Sequence, residues 1–421
     1  MPKFATLDNE KPLSAKLRVV GVGGGGCNAL ESMIKRGLSG VEYVAINTDS
    51  QVLENNKSHY KLQIGKNLTK GLGAGADPNV GKKAIEEDRD KITKIIQGSD
   101  MVFVTAGMGG GTGTGGAPIV ASIAQSVGAL VIGIVTKPFR WEGKKRMKNA
   151  EEGIKEIRQY VDSLIVIPNE RILNIMDDSS EAFAAFDKPN EVLHEATRGI
   201  AEIITVPGII NVDFADVRSV MNQSGEALMG CGIASGENRA VESAQKAISS
   251  PLLEGINIKG AKNILLNVTA STNLTMKEIN EGNQVIYDAA GEEANVIFGL
   301  VQKEDMNEYV SYTVIATGFG TESESMLKEG KESHENQLRK EKIAISAGFI
   351  PNRFETDKGT DLDIPTIKRI RQSSNPLAQD EPVLHSGFNF GRPKKSHTDT
   401  QNNGKNIDTE DSSSFLKMMM D

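Results

Sequence analysis

Between residue 16 and about residue 180, short apolar runs rich in β-branched residues alternate with stretches whose apolar residues recur at helical spacing. Strands separated by helices in this way form a mostly parallel sheet that is covered on both faces. The ligand site of such a fold lies at the carboxyl ends of the strands. The predicted strands are Leu17 to Val22, Tyr43 to Ile46, Met101 to Thr105, Leu130 to Val135 and Leu164 to Ile167.

The pattern changes after residue 180. A long amphipathic run from about Asn190 to Thr205 predicts one helix that ends at Pro207-Gly208 and bridges two domains. The strands and helices beyond it predict a smaller α/β domain. Its predicted helices are Phe214 to Met221 and one near Arg239 to Ile248, and its predicted strands are Asn263 to Thr269, Asn295 to Val301 and Tyr309 to Thr317.

Composition narrows the function classes. A chain of 421 residues is long enough for two domains with tails. A net charge of −8 argues against nucleic acid as the main ligand, because phosphate backbones require clustered Lys and Arg. Cys27 and Cys231 lie far apart without metal-ligand spacing, which is typical of a reducing compartment. No apolar stretch reaches about 18 residues, so we expect a cytoplasmic protein without a membrane span.

An eight-residue run, Gly109-Gly-Gly-Thr-Gly-Thr-Gly-Gly116, lies between the strand that begins at Met101 and a helix-like run from Pro118 to Val127. Residues without Cβ allow several backbone N–H groups to contact one anion, and the N-terminus of the following helix adds positive potential. The two threonines could add hydroxyl donors. A flexible linker has no reason to stand between a strand and a helix, so we predict a phosphate-binding loop.

A second glycine-rich run, Gly21-Val-Gly-Gly-Gly-Gly26, follows the first strand and leads into the helical run Asn28 to Lys35. It matches G-x-G-x-x-G, and with Asp49 after the next strand it could be a dinucleotide fingerprint. An NAD-dependent enzyme that does not assemble is therefore an alternative. Two glycine-rich loops around one nucleotide are unlike the usual dinucleotide fold, which disfavours it.

Two further segments carry candidate chemistry. Gly71-Leu-Gly-Ala-Gly-Ala-Asp-Pro78 could reach a terminal phosphate through backbone amides, or could be a loop with a helix cap at Asp77. Asp213 and Asp216 lie at the start of a predicted helix and could orient a water for attack on phosphorus. On spacing alone, an N-cap Asp followed by a first-turn Asp is the simpler explanation of this pair.

Five motifs occur in one order along the chain: the glycine-rich runs at Gly21, Gly71 and Gly109, Asn47-Thr-Asp49, and Asn211-Val-Asp-Phe-Ala-Asp216. With them, the chain closely resembles the FtsZ family of the tubulin superfamily of GTPases from about Lys16 to Gly320. The Gly-Gly-Gly-Thr-Gly-Thr-Gly core is specific to that superfamily. The resemblance implies an α/β fold with a Rossmann-like parallel-sheet GTPase domain, a long central helix, a smaller α/β C-terminal domain and a disordered C-terminal tail.

The resemblance also implies which residues bind GTP. The glycine-rich runs at Gly21 and Gly109 hold the phosphates, and Phe186 stacks on the guanine. The amide oxygens of Asn169 and Asn190 accept hydrogen bonds from the N1–H and 2-amino groups of the guanine. Relatives commonly carry Asp at the Asn190 position, and Pro189 is expected in the first turn of its helix. The GTP-binding residues predicted in this way are Gly24, Gly25, Gly26, Cys27, Asn28, Ala74, Gly75, Gly110, Gly111, Thr112, Gly113, Thr114, Glu142, Arg146, Asn169, Phe186 and Asn190.

The family's mechanism implies that Asp213, Asp216 and Asn211 act on the GTP of the neighbouring subunit. Hydrolysis to GDP and phosphate is then activated by polymerisation, with Mg²⁺ bound mainly through the phosphates and no protein ligand assigned. The implied function is a head-to-tail cytoskeletal filament that forms the cytokinetic ring at mid-cell. A tubulin-like regulator that polymerises without efficient hydrolysis is disfavoured, because both carboxylates are retained.

Partners and domain boundaries follow from the same resemblance. The implied partners are further copies of the chain and the division proteins that tether or regulate the filament through Asp361 to Arg371. After Gly320 the composition becomes polar, which predicts disorder. The predicted segments are a flexible extension (1–15), the GTP-binding domain (16–181), the central helix (182–207), the C-terminal activation domain (208–320), a disordered linker (321–360), the partner-binding peptide (361–371) and a disordered tail (372–421).

Cys27 allows two interpretations. Its thiol would lie beside a helix N-terminus close to the phosphates, which could lower its pKa and make it reactive. Alternatively, it is a small buried residue.

Overall fold

The computed structural model of the protein describes residues 15–173, 182–206, 208–210, 212–253 and 258–319. The predictions for the N-terminal extension up to residue 14, for the linker, the partner-binding peptide and the tail, and for Asn211, lie outside these residues. The strands are β1 (Leu17–Val22), β2 (Val41–Asn47), β3 (Tyr60–Gln63), β4 (Met101–Gly107), β5 (Leu130–Lys137), β6 (Ser163–Pro168), β7 (Gly225–Ala234), β8 (Asn263–Ala270), β9 (Asn295–Gln302) and β10 (Val310–Thr317).

Helices connect most of these strands. None of the described helices is both long and apolar enough to cross a membrane. The α-helices are α1 (Gly23–Lys35), α2 (Ser50–Asn55), α3 (Lys66–Thr69), α4 (Pro78–Glu87), α5 (Arg89–Ile96), α6 (Thr112–Ser126), α7 (Lys144–Ile157), α8 (Asn169–Leu173), α9 (Ala182–Thr205), α10 (Phe214–Met221), α11 (Arg239–Ile248) and α12 (Met276–Ala290).

The strands form one sheet in the order β3-β2-β1-β4-β5-β6-β7-β10-β8-β9. The first six are parallel, and β7 continues the sheet by pairing in parallel with β6. β10 then pairs antiparallel with both β7 and β8. The chain runs from β1 outwards through β2 and β3 on one side, and from β4 outwards through β5 and β6 on the other. The connections therefore diverge between β1 and β4, and such sheets bind ligands at this point.

Alternate residues of the central strands supply two separate cores. Val19 and Phe103 are register partners on β1 and β4 and belong to one core, while the next pair, Val20 and Val104, belongs to the other. Successive side chains of a strand point to opposite faces, so both faces of this part of the sheet are buried. Helix α9 adds Leu193 to the first core, which also contains residues of β8 and β10. The long helix therefore packs against residues of both halves of the chain.

Three elements differ from the sequence-based expectations. Helices α1 and α6 begin at Gly23 and Thr112, so most of each glycine-rich run forms the first helical turns rather than a preceding loop. Helix α9 begins at Ala182, which places Pro189 in the helix interior and not in its first turn. The φ of proline is compatible with a helix, but proline has no backbone N–H, so one hydrogen bond of the helix is missing there. The packing of the long helix outweighs this loss.

Strands β3 and β7 and helix α12 were not predicted. β3 has only four residues, and β7 is interrupted by glycines, so neither carries a β-branched run. Helix α12 had a readable signal, because Thr275 and Glu278 form a reciprocal capping box at its N-terminus.

Candidate nucleotide-binding site

The N-termini of α1 and α6 meet at the carboxyl edge of the sheet. They begin side by side because β1 and β4 are neighbours and end together, Val22 pairing with Ala106. Gly23 has a φ of +73°, and a Cβ there would lie 2.6 Å from the backbone nitrogen of Gly113. Only glycine allows this approach. Two sets of first-turn N–H groups, each at the positive end of a helix, therefore face the same space, which suits an anion.

A cavity of about 740 Å³ opens at this point. Its volume lies in the range of sites for cofactor-sized ligands. It extends from the two helix N-termini past the ends of β4 and β5 to the N-terminal half of α9. The predicted GTP-binding residues that line it are Gly24, Gly25, Asn28, Gly110, Gly113, Glu142, Arg146, Asn169, Phe186 and Asn190.

The other predicted GTP-binding residues do not line the cavity. A Cβ on Gly26 would lie 2.6 Å from the carbonyl oxygen of Thr105, so this glycine allows α1 to pack on β4. Gly111 lies against Ala74, where an added Cβ would come within 2.8 Å of the alanine Cβ. The remaining residues of this group are Cys27, Gly75, Thr112 and Thr114.

Both threonine hydroxyls of the Gly109 run have partners within the protein. Thr114 Oγ1 accepts a 2.8 Å hydrogen bond from the backbone N–H of Gly109 and closes the turn before α6. Thr112 Oγ1 lies 2.7 Å from Thr48 Oγ1. These hydroxyls hold the glycine-rich turn in place, and their contact with phosphate stays a prediction.

A buried polar side chain and an aromatic ring lie at the far end of the cavity. Asn169 is buried, and its Oδ1 is among the described buried side-chain atoms that have no hydrogen-bond partner. A buried acceptor needs a donor, which water or a ligand in the cavity can supply. Phe186 lies at the same end, edge-on to Phe139 and Trp141 with ring centroids 6.1 Å and 5.9 Å away. The arrangement offers an aromatic surface beside an unsatisfied acceptor.

Glu142 and Arg146 lie together at the cavity wall. Glu142 Oε2 accepts a 2.8 Å hydrogen bond from Arg146 Nη1, and Glu142 Oε1 accepts one of 2.8 Å from the backbone N–H of Phe139. The second bond closes the short 3₁₀ turn that carries Trp141. Both predicted side chains are therefore held in place beside the cavity.

Several residues that line the cavity were not predicted. Four of them lie on α1 or at its end, one or two turns beyond the glycines, and they share the face that carries Asn28. Helical spacing after the glycine-rich run could have indicated them. The lining residues missed by the sequence analysis are Glu31, Ser32, Lys35, Arg36, Gly107, Met108, Thr136, Pro138, Phe139, Asp187, Pro189 and Leu193.

The candidate carboxylates lie at the opposite edge of the sheet. Asp213 and Asp216 are exposed and do not line the cavity. Helix α10, which they open, is attached to the amino edge: Arg218 Nη2 donates a 3.3 Å hydrogen bond to the carbonyl oxygen of Gly128, just before β5. Thr205, the last residue of α9, also contacts Gly40 just before β2. Phe186 and Thr205 are therefore separated by roughly 28 Å of helix.

The acidic residue expected of a dinucleotide site serves another purpose here. Asp49 Oδ1 accepts hydrogen bonds from the backbone N–H groups of Gln51 and Val52 and caps α2. It does not line the cavity, which extends towards β5 and α9 and away from β2. Asp77 likewise caps α4, accepting from the N–H of Asn79.

The hypothesis of a reactive Cys27 is wrong. The side chain is fully buried, and burial raises the pKa of its thiol to about 12, with the charge of Asp49 contributing and a hydrogen bond from Asn47 opposing the shift. The helix N-terminus does not compensate for this desolvation. Cys27 is a packing residue, as the alternative interpretation held.

Comparison with known proteins agrees with the geometry. Residues 16–177 match the family model for the GTPase domain of the tubulin/FtsZ family, and residues 225–320 match that for the C-terminal domain of the FtsZ family. An FtsZ dimer from M. jannaschii is 44% identical, with 72% of this chain and 88% of that chain covered and a TM-score of 0.69. A mutant form of FtsZ from the same organism is 44% identical, with 73% and 92% covered and a TM-score of 0.70.

More distant structures share the fold. CetZ2 from Haloferax volcanii is 19% identical, with 77% of this chain and 99% of that chain covered and a TM-score of 0.62. The two domain matches together span more than half of the sequence, and the identity to the M. jannaschii structures extends over both halves of the fold. The chain therefore belongs to the FtsZ family and is a GTPase.

Proposed function

We propose that this protein binds GTP in the cavity at the carboxyl edge of its sheet and hydrolyses it at the interface between consecutive copies in a head-to-tail filament. The phosphates would lie against the first turns of α1 and α6, and the guanine would lie between Phe186 and the two asparagines, Asn169 and Asn190. The unpartnered Oδ1 of Asn169 supports this placement, since it accepts what guanine N1–H or its amino group donates.

The observation that carries interface hydrolysis is the separation between the cavity and the carboxylate pair. Asp213 and Asp216 are attached to the amino edge of the sheet, whereas the cavity opens at the carboxyl edge. A single copy cannot bring them together without unfolding α9. Stacking of copies along the strand direction would place the amino edge of one against the carboxyl edge of the next. The incoming carboxylates could then orient a water for attack on the terminal phosphate.

Mg²⁺ would be bound in this site mainly by the phosphate oxygens of the nucleotide. Among the described residues, no group of three or more His, Cys, Asp and Glu side chains is placed to hold a metal. The donors that the cavity presents to phosphate are backbone N–H groups. The ion would neutralise part of the phosphate charge, while the helix N-termini and Arg146 hold the nucleotide in position.

At the cellular level, we propose that the filament forms the cytokinetic ring at the division site in the cytoplasm. The support is membership of the FtsZ family, together with an M. jannaschii relative described as a dimer and a CetZ2 structure described as a protofilament. Residues 16–181 and 208–320 would act as nucleotide-binding and activating halves joined by the central helix. Residues 361–371 would bind the division proteins that tether or regulate the filament.

The first experiment is to measure phosphate release from GTP as a function of protein concentration. If the active site forms between copies, activity is negligible below a threshold and then rises steeply. A rate strictly proportional to concentration would show that each copy carries a complete site and would overturn the mechanism. Binding of GTP without turnover would instead support a regulator that assembles without hydrolysis.

A mixing experiment provides the sharper test. One variant, Asp216→Ala, lacks a carboxylate but keeps the cavity, and a second, carrying Asn169→Ala and Phe186→Ala, keeps the carboxylates but loses the base contacts. Each is expected to be nearly inactive alone. Their mixture regains activity only if the cavity of one copy works with the carboxylates of another. No recovery in filaments that contain both variants would refute hydrolysis between copies.

A further inference from the structure

A chain of polar side chains runs from α1 to α9 across the end of the cavity where the guanine base is proposed to lie. This end, lined by Asn169, Phe186 and Asn190, is called the base end. Arg36 Nε donates a 3.2 Å hydrogen bond to Ser32 Oγ on α1. The Nη2 of the same guanidinium lies 3.2 Å from Asp187 Oδ2 and 3.6 Å from Glu191 Oε2 on α9. Ser32, Arg36 and Asp187 all line the cavity. Asp187 is therefore tied to the opposite wall of the site.

Asp187 also contacts one of the two asparagines at the base end. Its Oδ1 accepts a 3.4 Å hydrogen bond from Asn190 Nδ2. A carboxylate oxygen can only accept, so it selects the NH₂ side of the carboxamide. The amide of Asn190 is thereby oriented, and its oxygen is the atom left for a bound base.

The orientation of this amide matters because purine bases differ at C2. Guanine carries an amino group there and donates through it and through N1–H, so it needs two acceptors. Asn169 Oδ1, buried and without a partner, is one acceptor, and Asn190 Oδ1 is the second. Xanthine carries an oxygen at C2 and needs a donor at the same place. A carboxamide that can turn over serves either base, whereas an oriented one serves guanine.

We propose that Asp187 is a positioning residue for base selectivity. By accepting from Asn190 Nδ2, it keeps the Asn190 oxygen directed to the base, and Arg36 keeps Asp187 in place. The site thereby prefers guanine to xanthine nucleotides, although Asn190 itself carries no charge. This inference rests on the proposed binding of GTP in the cavity.

The test is equilibrium binding of GDP and XDP to the full-length protein, at concentrations below the assembly threshold so that neither hydrolysis nor polymerisation contributes. Asp187→Ala is expected to reduce the ratio of GDP to XDP affinity roughly tenfold, the value of about one hydrogen bond, because the freed amide can offer Nδ2 to the xanthine oxygen. Asp187→Asn retains an acceptor oxygen and is expected to keep most of the wild-type ratio.

Glu191→Ala is the matched control. It removes the other carboxylate beside Arg36 but no contact of Asn190, so its ratio should remain that of the wild type. An unchanged ratio in Asp187→Ala would overturn the inference. So would an equal loss in Asp187→Asn or Glu191→Ala, because the effect would then arise from charge near Arg36. Failure of the wild-type protein to bind GDP would instead overturn the proposed function.

Discussion

The backbone N–H of Asp216 donates a 2.8 Å hydrogen bond to Oδ1 of Asp213, so the first carboxylate of the pair is the N-cap of α10 and the second lies in its first turn. The structural and the chemical interpretations of this pair are therefore compatible. Asp213 fixes the start of the helix, and Asp216 is exposed beside it at the amino edge of the sheet. The cap therefore fixes where the second carboxylate lies, as the proposed hydrolysis between copies requires.

The two carboxylates should consequently differ when they are replaced. Asp216→Ala is expected to slow GTP turnover ~10²-fold or more, with nucleotide binding and thermal stability unchanged. Asp213→Ala should slow turnover and also lower the free energy of unfolding by about 1 kcal/mol, because α10 loses its cap. Asp213→Asn keeps a capping oxygen and should retain stability. Steady-state turnover and thermal unfolding separate the effects, and full activity in Asp216→Ala would remove that residue from the mechanism.

Part of the Gly109 run serves helix packing, which makes a prediction about stability. A Cβ on Gly115 would lie 1.9 Å from the carbonyl oxygen of Pro78 at the start of α4. We expect Gly115→Ala to destabilise the fold by roughly 3 kcal/mol or more, because backbone must move to admit the methyl group.

Gly116→Ala is the control for that substitution. Its Cβ would meet side-chain atoms and no backbone, Ile85 Cγ1 at 2.8 Å and Val22 Cγ1 at 3.1 Å, and side chains yield more readily than backbone. Denaturant unfolding should therefore show a clearly smaller loss for Gly116→Ala. Equal losses would mean that helix α4 does not constrain position 115 in particular.

His194 predicts a loss of stability in mild acid. It is buried on α9, and burial, together with the charges of Arg198, Arg36 and Lys303, lowers its pKa from 6.5 to about 3. The unfolded chain therefore binds a proton at a pH where the folded chain does not. The contribution of His194 to the free energy of unfolding is fully present above pH 6.5 and is lost as the pH falls towards 3. The loss between pH 7 and pH 5 is roughly 2 kcal/mol.

The measurement is the free energy of unfolding from pH 7 to pH 5, compared with His194→Gln. The variant lacks the titrating group and should have a flatter profile in this window. Glu278 titrates outside this pH window. Burial opposes ionisation of its carboxyl, but hydrogen bonds from Arg239 and Thr275 together lower its pKa to about 2. This carboxyl therefore affects stability only below its unfolded pKa of 4.5. Parallel profiles of wild type and variant would exclude His194 as the cause.

Cys27 should resist alkylation in the native protein. Its thiol is fully buried with a pKa of about 12, so the thiolate is scarce and inaccessible. Mass spectrometry after treatment with iodoacetamide is expected to find Cys27 unmodified, with or without GTP, and modified once denaturant is added. Rapid modification that bound GTP prevents would show that the thiol faces the nucleotide after all.

The sequence by itself determined the strands of the nucleotide-binding half and the position of its glycine-rich segments. Buried parallel strands must be continuous apolar runs, so β1, β4 and β5 could be identified within two residues of their bounds. The same is true of α10 and α11, whose apolar residues recur at helical spacing. The family could be identified because its glycine-rich motif is both long and specific.

Only the tertiary structure decided which residues of these segments face the ligand site and which serve packing. Gly26 and Gly115 belong to the predicted phosphate loops, yet each permits a close backbone contact, with β4 and α4 respectively. Such contacts join residues far apart in sequence, and a glycine that faces a ligand looks the same in the chain as one that faces another helix. Asp187 and Arg36 are hidden for the same reason, because they meet only when α1 and α9 pack together. The opposite placement of cavity and carboxylates is likewise a property of the folded sheet, since strand direction and helix length set which residues reach each edge.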